Sequence, residues 1–313
     1  MNKLKIIVRE ILVMKFMLLV LIILLVSCAG VPYKNMNIID YEFNTVYEFD
    51  NDSKHLIIYI DGSGWSSVLG HMENDKWKYP GFPYLLDKKF GNEYSIFVPE
   101  RLNMRPGTIY YYNPEMRKEY VLENLVKIYS TSINKYLELK SFDSIVLIGI
   151  SEGAALLPMI YSEINLKNNI KCIVSMAYGG LNVFEQIKIL GNSSVPMADY
   201  WREACLNAEI YKKDVEQFKD SLGELNLLTY RWWYSFKDYE PLEYFMRIDI
   251  PILFVHGELD NYVPVESTRY IQANAKGKPF EYMYISDKDH FILYGKSQNK
   301  YLSEIKMWIK NHI

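Results

Sequence analysis

The five residues Gly-Ile-Ser-Glu-Gly at positions 149–153 constrain the fold more than any other segment of the chain. They follow a largely apolar run at 144–148, which predicts a buried strand, and they precede a helix-like stretch at 154–160. A strand that turns sharply into a helix needs small residues on both sides of the turn, because the helix packs closely on the strand. Such a turn holds Ser151 on a strained corner with its hydroxyl outward, where a weak nucleophile meets a base and a substrate.

Two further strands are predicted downstream of this turn, at residues 251–255 and 280–285, and each runs into a polar loop. Asp260 lies in the first loop and His290 in the second. Open α/β sheets build their sites at the carboxyl ends of the strands. A serine on a strand-to-helix turn is served by an acid and then a histidine further along the chain. The sequence therefore predicts Ser151, Asp260 and His290 as a catalytic triad.

The chain has five histidines, and their positions favour His290 as the base. His55 comes before the serine, and His71 lies in a polar loop. His256 closes a strand, where a structural role is expected. His312 lies one residue from the C-terminus, where chain ends are commonly disordered.

Two acidic residues compete for the third position of the triad. Both Glu258 and Asp260 follow the strand at 251–255. We favour Asp260 as the residue that orients His290, with Glu258 as the lesser candidate. A structural role for Asp260 near the start of the next helix is the alternative.

Three segments together resemble the α/β-hydrolase superfamily. They are the Gly-Ile-Ser-Glu-Gly turn, the His-Gly-Glu-Leu-Asp-Asn-Tyr-Val-Pro segment at 256–264 and the Asp-His-Phe segment at 289–291. The resemblance extends from about residue 54 to the C-terminus, with a less typical insert between. It implies an α/β fold with a mostly parallel central sheet flanked by helices.

The resemblance also implies the chemistry. Ser151 would attack an acyl carbonyl, His290 would act as general base and then acid, and Asp260 would hold the imidazole. Such a serine hydrolase needs no cofactor, and a carboxylic ester of a small-molecule acyl substrate is the expected bond. A capped peptidase acting on short peptides is the alternative, and a transacylase uses the same residues. A non-catalytic surface lipoprotein that binds through the same fold is the rival from another class.

An oxyanion hole is implied by the same resemblance. A predicted strand at 55–60 runs into Asp-Gly-Ser-Gly-Trp at 61–65, where two glycines allow a tight loop with inward N–H groups. The implied donors are the backbone N–H of Ser63 or Gly64 and the backbone N–H of Glu152. The superfamily often has His-Gly at the start of this loop, where this chain has Asp-Gly. An ordinary glycine-rich turn is the alternative.

Charged side chains near the predicted site have two interpretations each. Glu152 begins a helix, where a carboxylate is favourable against the dipole, but it could also bind a substrate amine. Arg101 or Arg105 could bind a substrate carboxylate, although structural ion pairs are the commoner role of such arginines.

An insert of about seventy residues separates the strands predicted at 170–176 and 250–255, far more than a simple crossover needs. We interpret residues 181–246 as a helical cap placed before the penultimate strand. The core is then formed by residues 53–180 and 247–313. Helices are predicted in the insert at 183–190, 196–208, 210–222 and 232–245.

Aromatic residues supply the candidates for substrate contact. Trp232 and Trp233 are adjacent in the cap, so they cannot both face one side of a helix, and one of them is expected to face the substrate. Trp65, beside the oxyanion loop, is the better candidate. A lid of this kind excludes water from the reaction.

Residues 1–27 have the pattern of a secretion signal. Basic residues precede an unbroken apolar run of eleven residues at 16–26, too short for a spanning helix of about 20 residues. The run ends in Leu-Val-Ser-Cys, which resembles a bacterial lipobox and implies a diacylglyceryl group on Cys28, often with a further acyl chain such as palmitate. A membrane anchor helix and an ordinary signal peptide are the alternatives. Residues 28–52 are expected to form a tether and a first strand at 41–49.

The predicted location follows from this signal: the bacterial cell envelope, on its periplasmic or extracellular face, with the lipid on Cys28 in a membrane. The net charge of −3 and the absence of a basic stripe make nucleic acid an unlikely partner. No Cys/His spacing suggests a metal site. The sequence leaves the oligomeric state open.

Overall fold

A central β-sheet organises the part of the chain that the computed structural model describes: residues 33, 36–41, 44–64, 66–73, 76–102, 104–108, 119–212, 229–295 and 298–313. The predicted signal segment 1–27, Cys28 and Trp65 lie outside it. The strands, in chain order, are β1 (Met36–Asp40), β2 (Thr45–Phe49), β3 (His55–Ile60), β4 (Gly70–Glu73), β5 (Lys76–Pro80), β6 (Ser95–Pro99), β7 (Ser144–Ile150), β8 (Ile170–Met176), β9 (Ile252–Gly257) and β10 (Phe280–Ile285).

The main sheet has eight strands in the order β1-β2-β6-β3-β7-β8-β9-β10. In this sheet order, the six neighbouring strands β6, β3, β7, β8, β9 and β10 run parallel to one another. Strand β2 pairs antiparallel with both β1 and β6. Strand β7 is buried along its whole length, as expected for a central parallel strand covered on both faces. The predicted mostly parallel sheet is therefore confirmed.

Helices cover both faces of the sheet. Alternate residues of β3 show this division, since Leu56 and Ile58 belong to one apolar core and Ile57 and Tyr59 to the other. No helix among the described residues is long and apolar enough to cross a membrane. The α-helices are α1 (Phe82–Phe90), α2 (Leu122–Leu139), α3 (Glu152–Glu163), α4 (Val183–Gly191), α5 (Ala198–Tyr211), α6 (Tyr230–Ser235), α7 (Pro241–Phe245), α8 (Glu266–Asn274) and α9 (Gln298–Lys310).

The cap region, between β8 and β9, is helical but differs in detail from the prediction. The single helix predicted at 232–245 is two short helices, α6 and α7. Pro241 explains the break, because proline has no N–H for a helix interior and is favoured in the first turn, where α7 begins. Of the helix predicted at 210–222, the first two residues belong to α5, and residues 213–228 lie outside the described part.

One predicted strand and one predicted loop also differ from the structure. The strand predicted at 41–49 begins later, as β2 at Thr45, and it pairs with β1, which precedes the predicted range. Between them the N–H of Tyr41 donates to the carbonyl of Asn44 at 2.9 Å. The loop predicted at 64–84 contains the antiparallel pair β4 and β5. In both cases polar residues interrupt the alternation that marks a strand in the sequence.

Helix α3 crosses β3 so closely that only glycine fits at the contact. A Cβ on Gly153 would lie 2.2 Å from the carbonyl oxygen of Ile60. We expect Gly153→Ala to lower the free energy of unfolding by about 1–3 kcal/mol, because backbone must move to admit the methyl group. Ser162→Ala, at the exposed end of the same helix, is the control and should change it by less than about 0.5 kcal/mol. Urea denaturation measures both, and equal midpoints for the two variants would contradict this packing.

Candidate active site

The turn between β7 and α3 holds Ser151 in a strained conformation. Its φ is 54° and its ψ is −123°, a left-handed backbone that non-glycine residues rarely adopt and that costs about 1–3 kcal/mol. The N–H of Ser151 donates to the carbonyl of Met176 at 2.9 Å, which ties the turn to β8. A Cβ on Gly149 would lie 2.7 Å from the carbonyl of Gly153, so glycine is required on both sides of the serine.

The three residues predicted as a triad are brought together at the carboxyl ends of β7, β9 and β10. His290 Nε2 lies 3.0 Å from Ser151 Oγ, and His290 Nδ1 lies 2.8 Å from Asp260 Oδ2. A carboxylate accepts only, so Nδ1 carries a proton and donates to Asp260. Nε2 of the neutral ring is then free to accept the proton of the serine hydroxyl.

The carboxylate of Asp260 is buried and fully engaged. Its Oδ1 accepts hydrogen bonds from the backbone N–H groups of Tyr262 at 2.8 Å and Val263 at 2.9 Å. Burial acts to raise the pKa of Asp260, but the electrostatic interaction with His290 and hydrogen bonds from His256 and His290 outweigh it and hold the pKa well below its usual range. Asp260 therefore stays ionised at neutral pH, next to the ring of His290.

His256 has the structural role expected of it, and it also reaches the triad. Its side chain is buried between Thr268 Oγ1, 2.7 Å from Nδ1, and the carbonyl of Val263, 3.0 Å from Nε2. Nε2 also lies 3.4 Å from Asp260 Oδ2. The contact between His256 and Asp260 holds the turn that carries the acid. The sequence indicates each strand separately, so it does not predict this contact.

Glu258, the lesser candidate for the acid, faces elsewhere. Its carboxylate forms an ion pair with Arg269 at 2.8 Å, and both side chains are substantially exposed. The structure thus places Asp260 and not Glu258 against His290.

The loop after β3 lies directly against the nucleophile. A Cβ on Gly62 would meet the Cβ of Ser151 at 3.0 Å. On the other side of the serine, Glu152 is the first residue of α3, and the first N–H groups of a helix have no partner within it. The predicted donors Ser63, Gly64 and Glu152 thus belong to the two segments that flank Ser151, where a developing oxyanion would be stabilised.

The two arginines near this loop have different positions. Arg101 is buried, and its Nη2 donates to Asp61 Oδ2 at 2.7 Å and to the carbonyl of Gly62 at 2.7 Å. Arg105 is exposed. Arg101 therefore has the structural role that was the alternative to binding a substrate carboxylate.

The side chain of Glu152 joins the core to the cap. Tyr120 donates its hydroxyl to one carboxylate oxygen, and Trp232 Nε1 donates to the other at 2.7 Å. Burial, which disfavours the charged form, raises the pKa of Glu152 to about 7, against the lowering effect of both hydrogen bonds and of Arg101. Glu152 therefore titrates near neutral pH.

The tryptophans predicted to contact substrate have distinct surroundings. Trp232 is buried and faces Glu152. Trp233 is buried within the cap, where its ring stacks on Tyr211 at 5.3 Å. Trp65 lies outside the described residues.

A rim of aromatic residues beside His290 was not predicted. The centroid of the Tyr262 ring lies 5.1 Å from that of the imidazole, and the centroid of the Phe291 ring lies 5.9 Å from that of Tyr262. Phe291 is 51% exposed and Tyr294, which contacts it, is 43% exposed. Both Tyr262 and Phe291 lie inside the motifs that identify the triad, and this is the signal by which the sequence could have indicated the rim.

Comparison with known proteins gives two partial sequence matches. Residues 190–313 match the model of the prolyl oligopeptidase family. An uncharacterised protein of Bacillus subtilis (strain 168), YqkD, is 28% identical over 85 residues, which are 27% of this chain and 27% of that protein. The alignment thus spans about a quarter of that relative.

Solved structures share the fold at low sequence identity. Acylaminoacyl peptidase of Pyrococcus horikoshii has a TM-score of 0.55 at 15% identity, and the match covers 88% of this chain but only 40% of the peptidase. Est1E of Butyrivibrio proteoclasticus, with ferulic acid bound, has a TM-score of 0.59 at 13% identity, covering 88% of this chain and 98% of that chain. The chain has the α/β-hydrolase fold. Together with the family match, these findings support a hydrolase of the α/β-hydrolase type.

Neutralising Asp260 tests the assignment of the acid. We expect Asp260→Asn to lower the rate of Ser151 labelling by a fluorophosphonate about 10³–10⁴-fold, because the amide favours the wrong tautomer of His290. Glu258→Gln is the matched control and should label at the wild-type rate. A wild-type labelling rate in Asp260→Asn, or an equal loss in Glu258→Gln, would contradict the assignment of Asp260 as the acid.

The raised pKa of Glu152 makes stability depend on pH. Between its ordinary value of 4.5 and about 7, the folded chain binds more protons at Glu152 than the unfolded chain does, so this group lowers stability as pH rises. The penalty is complete above pH 7 and is on the order of 3 kcal/mol. Glu152→Gln should therefore gain stability relative to wild type between pH 5 and pH 8.

Chemical denaturation at the two pH values measures this difference. Glu123→Gln, at an exposed position in the first turn of α2, is the control and should keep a constant difference from wild type. A difference for Glu152→Gln that is the same at pH 5 and pH 8 would show that Glu152 does not titrate in this range.

Proposed function

We propose that this protein is a serine hydrolase that cleaves a carboxylic ester through an acyl-enzyme on Ser151. The observation that carries the proposal is the position of His290, whose two ring nitrogens lie within hydrogen-bond distance of Ser151 Oγ and Asp260 Oδ2. These contacts join a nucleophile, a base and an orienting acid that come from three separate segments of the chain. A binding protein has no need for such an arrangement, which argues against the non-catalytic alternative.

The proposed reaction has two halves. His290 Nε2 takes the proton of Ser151 as the serine attacks the carbonyl carbon, and backbone N–H groups of Ser63 or Gly64 and of Glu152 stabilise the oxyanion. His290 then protonates the leaving alcohol, which departs and leaves an acyl-serine. Water, deprotonated by His290, attacks the acyl group and releases the acid. Asp260 stays ionised throughout and stabilises the imidazolium.

The surroundings of Glu152 favour an ester over the N-terminal amine of a short peptide. Among the described residues, Glu152 is the carboxylate next to the nucleophile in the chain, and a peptidase could use it to bind an amine. Its two oxygens are already engaged by Tyr120 and Trp232, and the side chain is buried. Binding an amine there would break the contact between core and cap. The peptidase remains the second candidate because of the prolyl oligopeptidase family match.

The aromatic rim supports a substrate with an aromatic or apolar leaving group. His290 must deliver its proton to the leaving group, so the exposed rings of Phe291 and Tyr294 lie on the side of the site where the alcohol departs. Planar rings favour stacked or edge-to-face contact with another ring. Est1E, a structural relative, has been solved with the aromatic acid ferulic acid.

The proposal includes a location. The Leu-Val-Ser-Cys sequence before Ala29 supports a lipid on Cys28, which would hold the enzyme at a membrane of the bacterial envelope. The mixed surface charge and net charge of −3 support a small-molecule substrate over a nucleic acid.

An ester and an amide with the same acyl group separate the two candidate functions. We expect the purified protein to hydrolyse a phenyl ester at least about 10²-fold faster than the matching anilide, and Ser151→Ala to abolish ester hydrolysis. Release of phenol and aniline gives both rates. Comparable rates on the two substrates would favour the peptidase, and an ester rate unchanged in Ser151→Ala would overturn the assignment of the nucleophile.

A further inference from the structure

We propose that Arg101 positions the oxyanion hole by holding the Gly62–Ser63 peptide so that the N–H of Ser63 points to the reacting carbonyl. The proposal rests on the serine hydrolase function above and assigns the donor that the sequence left open between Ser63 and Gly64. Arg101 is a positioning residue in it, because its side chain touches the loop and not the substrate.

The guanidinium of Arg101 binds the loop at three places. Nη2 donates to Asp61 Oδ2 at 2.7 Å and to the carbonyl of Gly62 at 2.7 Å, and Nε donates to the same carbonyl at 3.1 Å. Nη1 donates to the carbonyl of Ser66. Asp61, Gly62 and Ser66 therefore all contact one rigid planar cation, and the planarity of the group fixes the directions of the carbonyls that it binds.

The geometry of the peptide bond turns this contact into an orientation for a donor. In a trans peptide the C=O and the following N–H point in opposite directions. Because two guanidinium nitrogens hold the carbonyl of Gly62, the N–H of Ser63 points away from Arg101. Gly62 itself lies against Ser151, where a Cβ would come within 3.0 Å of the serine Cβ. The N–H of Ser63 is thus placed beside the nucleophile with its direction fixed.

Glu100, the residue before Arg101, holds the far end of the same loop. Its carboxylate is fully buried and accepts from the hydroxyl of Ser67, from the N–H of Val68 at 3.0 Å and from the hydroxyl of Tyr47 at 2.8 Å. Two consecutive residues just after β6 thus hold the loop in complementary ways. Arg101 donates hydrogen bonds to its carbonyl groups, and Glu100 accepts hydrogen bonds from its N–H and hydroxyl groups.

Arg101 also balances the charge of Asp61. A carboxylate near the oxyanion would oppose the negative charge that develops there. The ion pair between Asp61 and Arg101 is 2.7 Å long, and the arginine side chain is 6% exposed, so solvent screens it little. The loop can therefore carry an aspartate next to the oxyanion donor.

Close packing of the loop on the guanidinium explains its second glycine. A Cβ on Gly64 would lie 3.2 Å from Arg101 Nη2, tighter than ordinary contact. A larger residue at this position would push the loop off the cation that orients it.

The test compares an ester with its thionoester, in which sulfur replaces the carbonyl oxygen. Sulfur accepts hydrogen bonds weakly, so the rate ratio of ester to thionoester reports on the donors of the oxyanion hole. We expect Arg101→Met to lower kcat for the ester about 10²–10³-fold with little change in KM, and to lower the rate ratio at least about tenfold. Arg101→Lys keeps the positive charge but lacks the planar guanidinium. Its kcat and its rate ratio should therefore lie between those of wild type and Arg101→Met. Arg105→Met, at the exposed neighbouring arginine, is the control and should match wild type.

The outcomes distinguish a failure of the positioning role of Arg101 from a failure of the proposed serine hydrolase function. A lower kcat with an unchanged rate ratio in a folded Arg101→Met would overturn the positioning role. If Arg101→Met fails to fold, Arg101→Lys decides by the same ratio. If wild type hydrolyses no ester, the proposed function fails, and hydrogen–deuterium exchange still tests the contact: residues 61–64 and 66–68 should exchange faster in the Arg101 variant than in wild type and in Arg105→Met. Equal exchange would overturn it.

Discussion

The close crossing of α3 over β3 is the contact on which the active site depends. Gly153 lets the helix approach the carbonyl of Ile60 so closely that no side chain fits between them. This approach forces the turn before the helix into the left-handed conformation of Ser151, with φ of 54°. The loop at Gly62 lies against Ser151, and α3 begins at the next residue, Glu152. The strained turn at Ser151 and the two segments that carry the proposed oxyanion donors thus meet at one close contact between a helix and a strand.

Acidic side chains around this turn are held by fixed partners. Asp260 is paired with His290, Asp61 is paired with Arg101, and Glu152 is bound by donors from the core and the cap. Groups held in this way do not reorganise when charge develops in a transition state, which is the main source of electrostatic catalysis. The hydrogen bond from Trp232 to Glu152 also attaches the segment between β8 and β9 to the residue after Ser151.

The sequence predicted the fold class and the segments that meet at the site because each carries a local signal: a buried strand followed by a glycine-rich turn or a polar loop. It did not predict the contacts that hold the site. Arg101 and Gly62 are 39 positions apart, and Glu152 and Trp232 are 80 apart, so their pairing depends on tertiary packing that no local pattern encodes. The cap was predicted as helical, but its last helix is broken at Pro241, a residue whose effect on a helix could have been read directly.

The measurement that tests the central claim most directly is the intact mass of the protein after reaction with a fluorophosphonate, followed by peptide mapping. We expect one adduct per chain, located on Ser151, and its loss in His290→Ala, because the serine is a nucleophile only when the imidazole takes its proton. An adduct on another residue, or no adduct on the folded wild-type protein, would contradict the assignment of Ser151, His290 and Asp260 as a working triad.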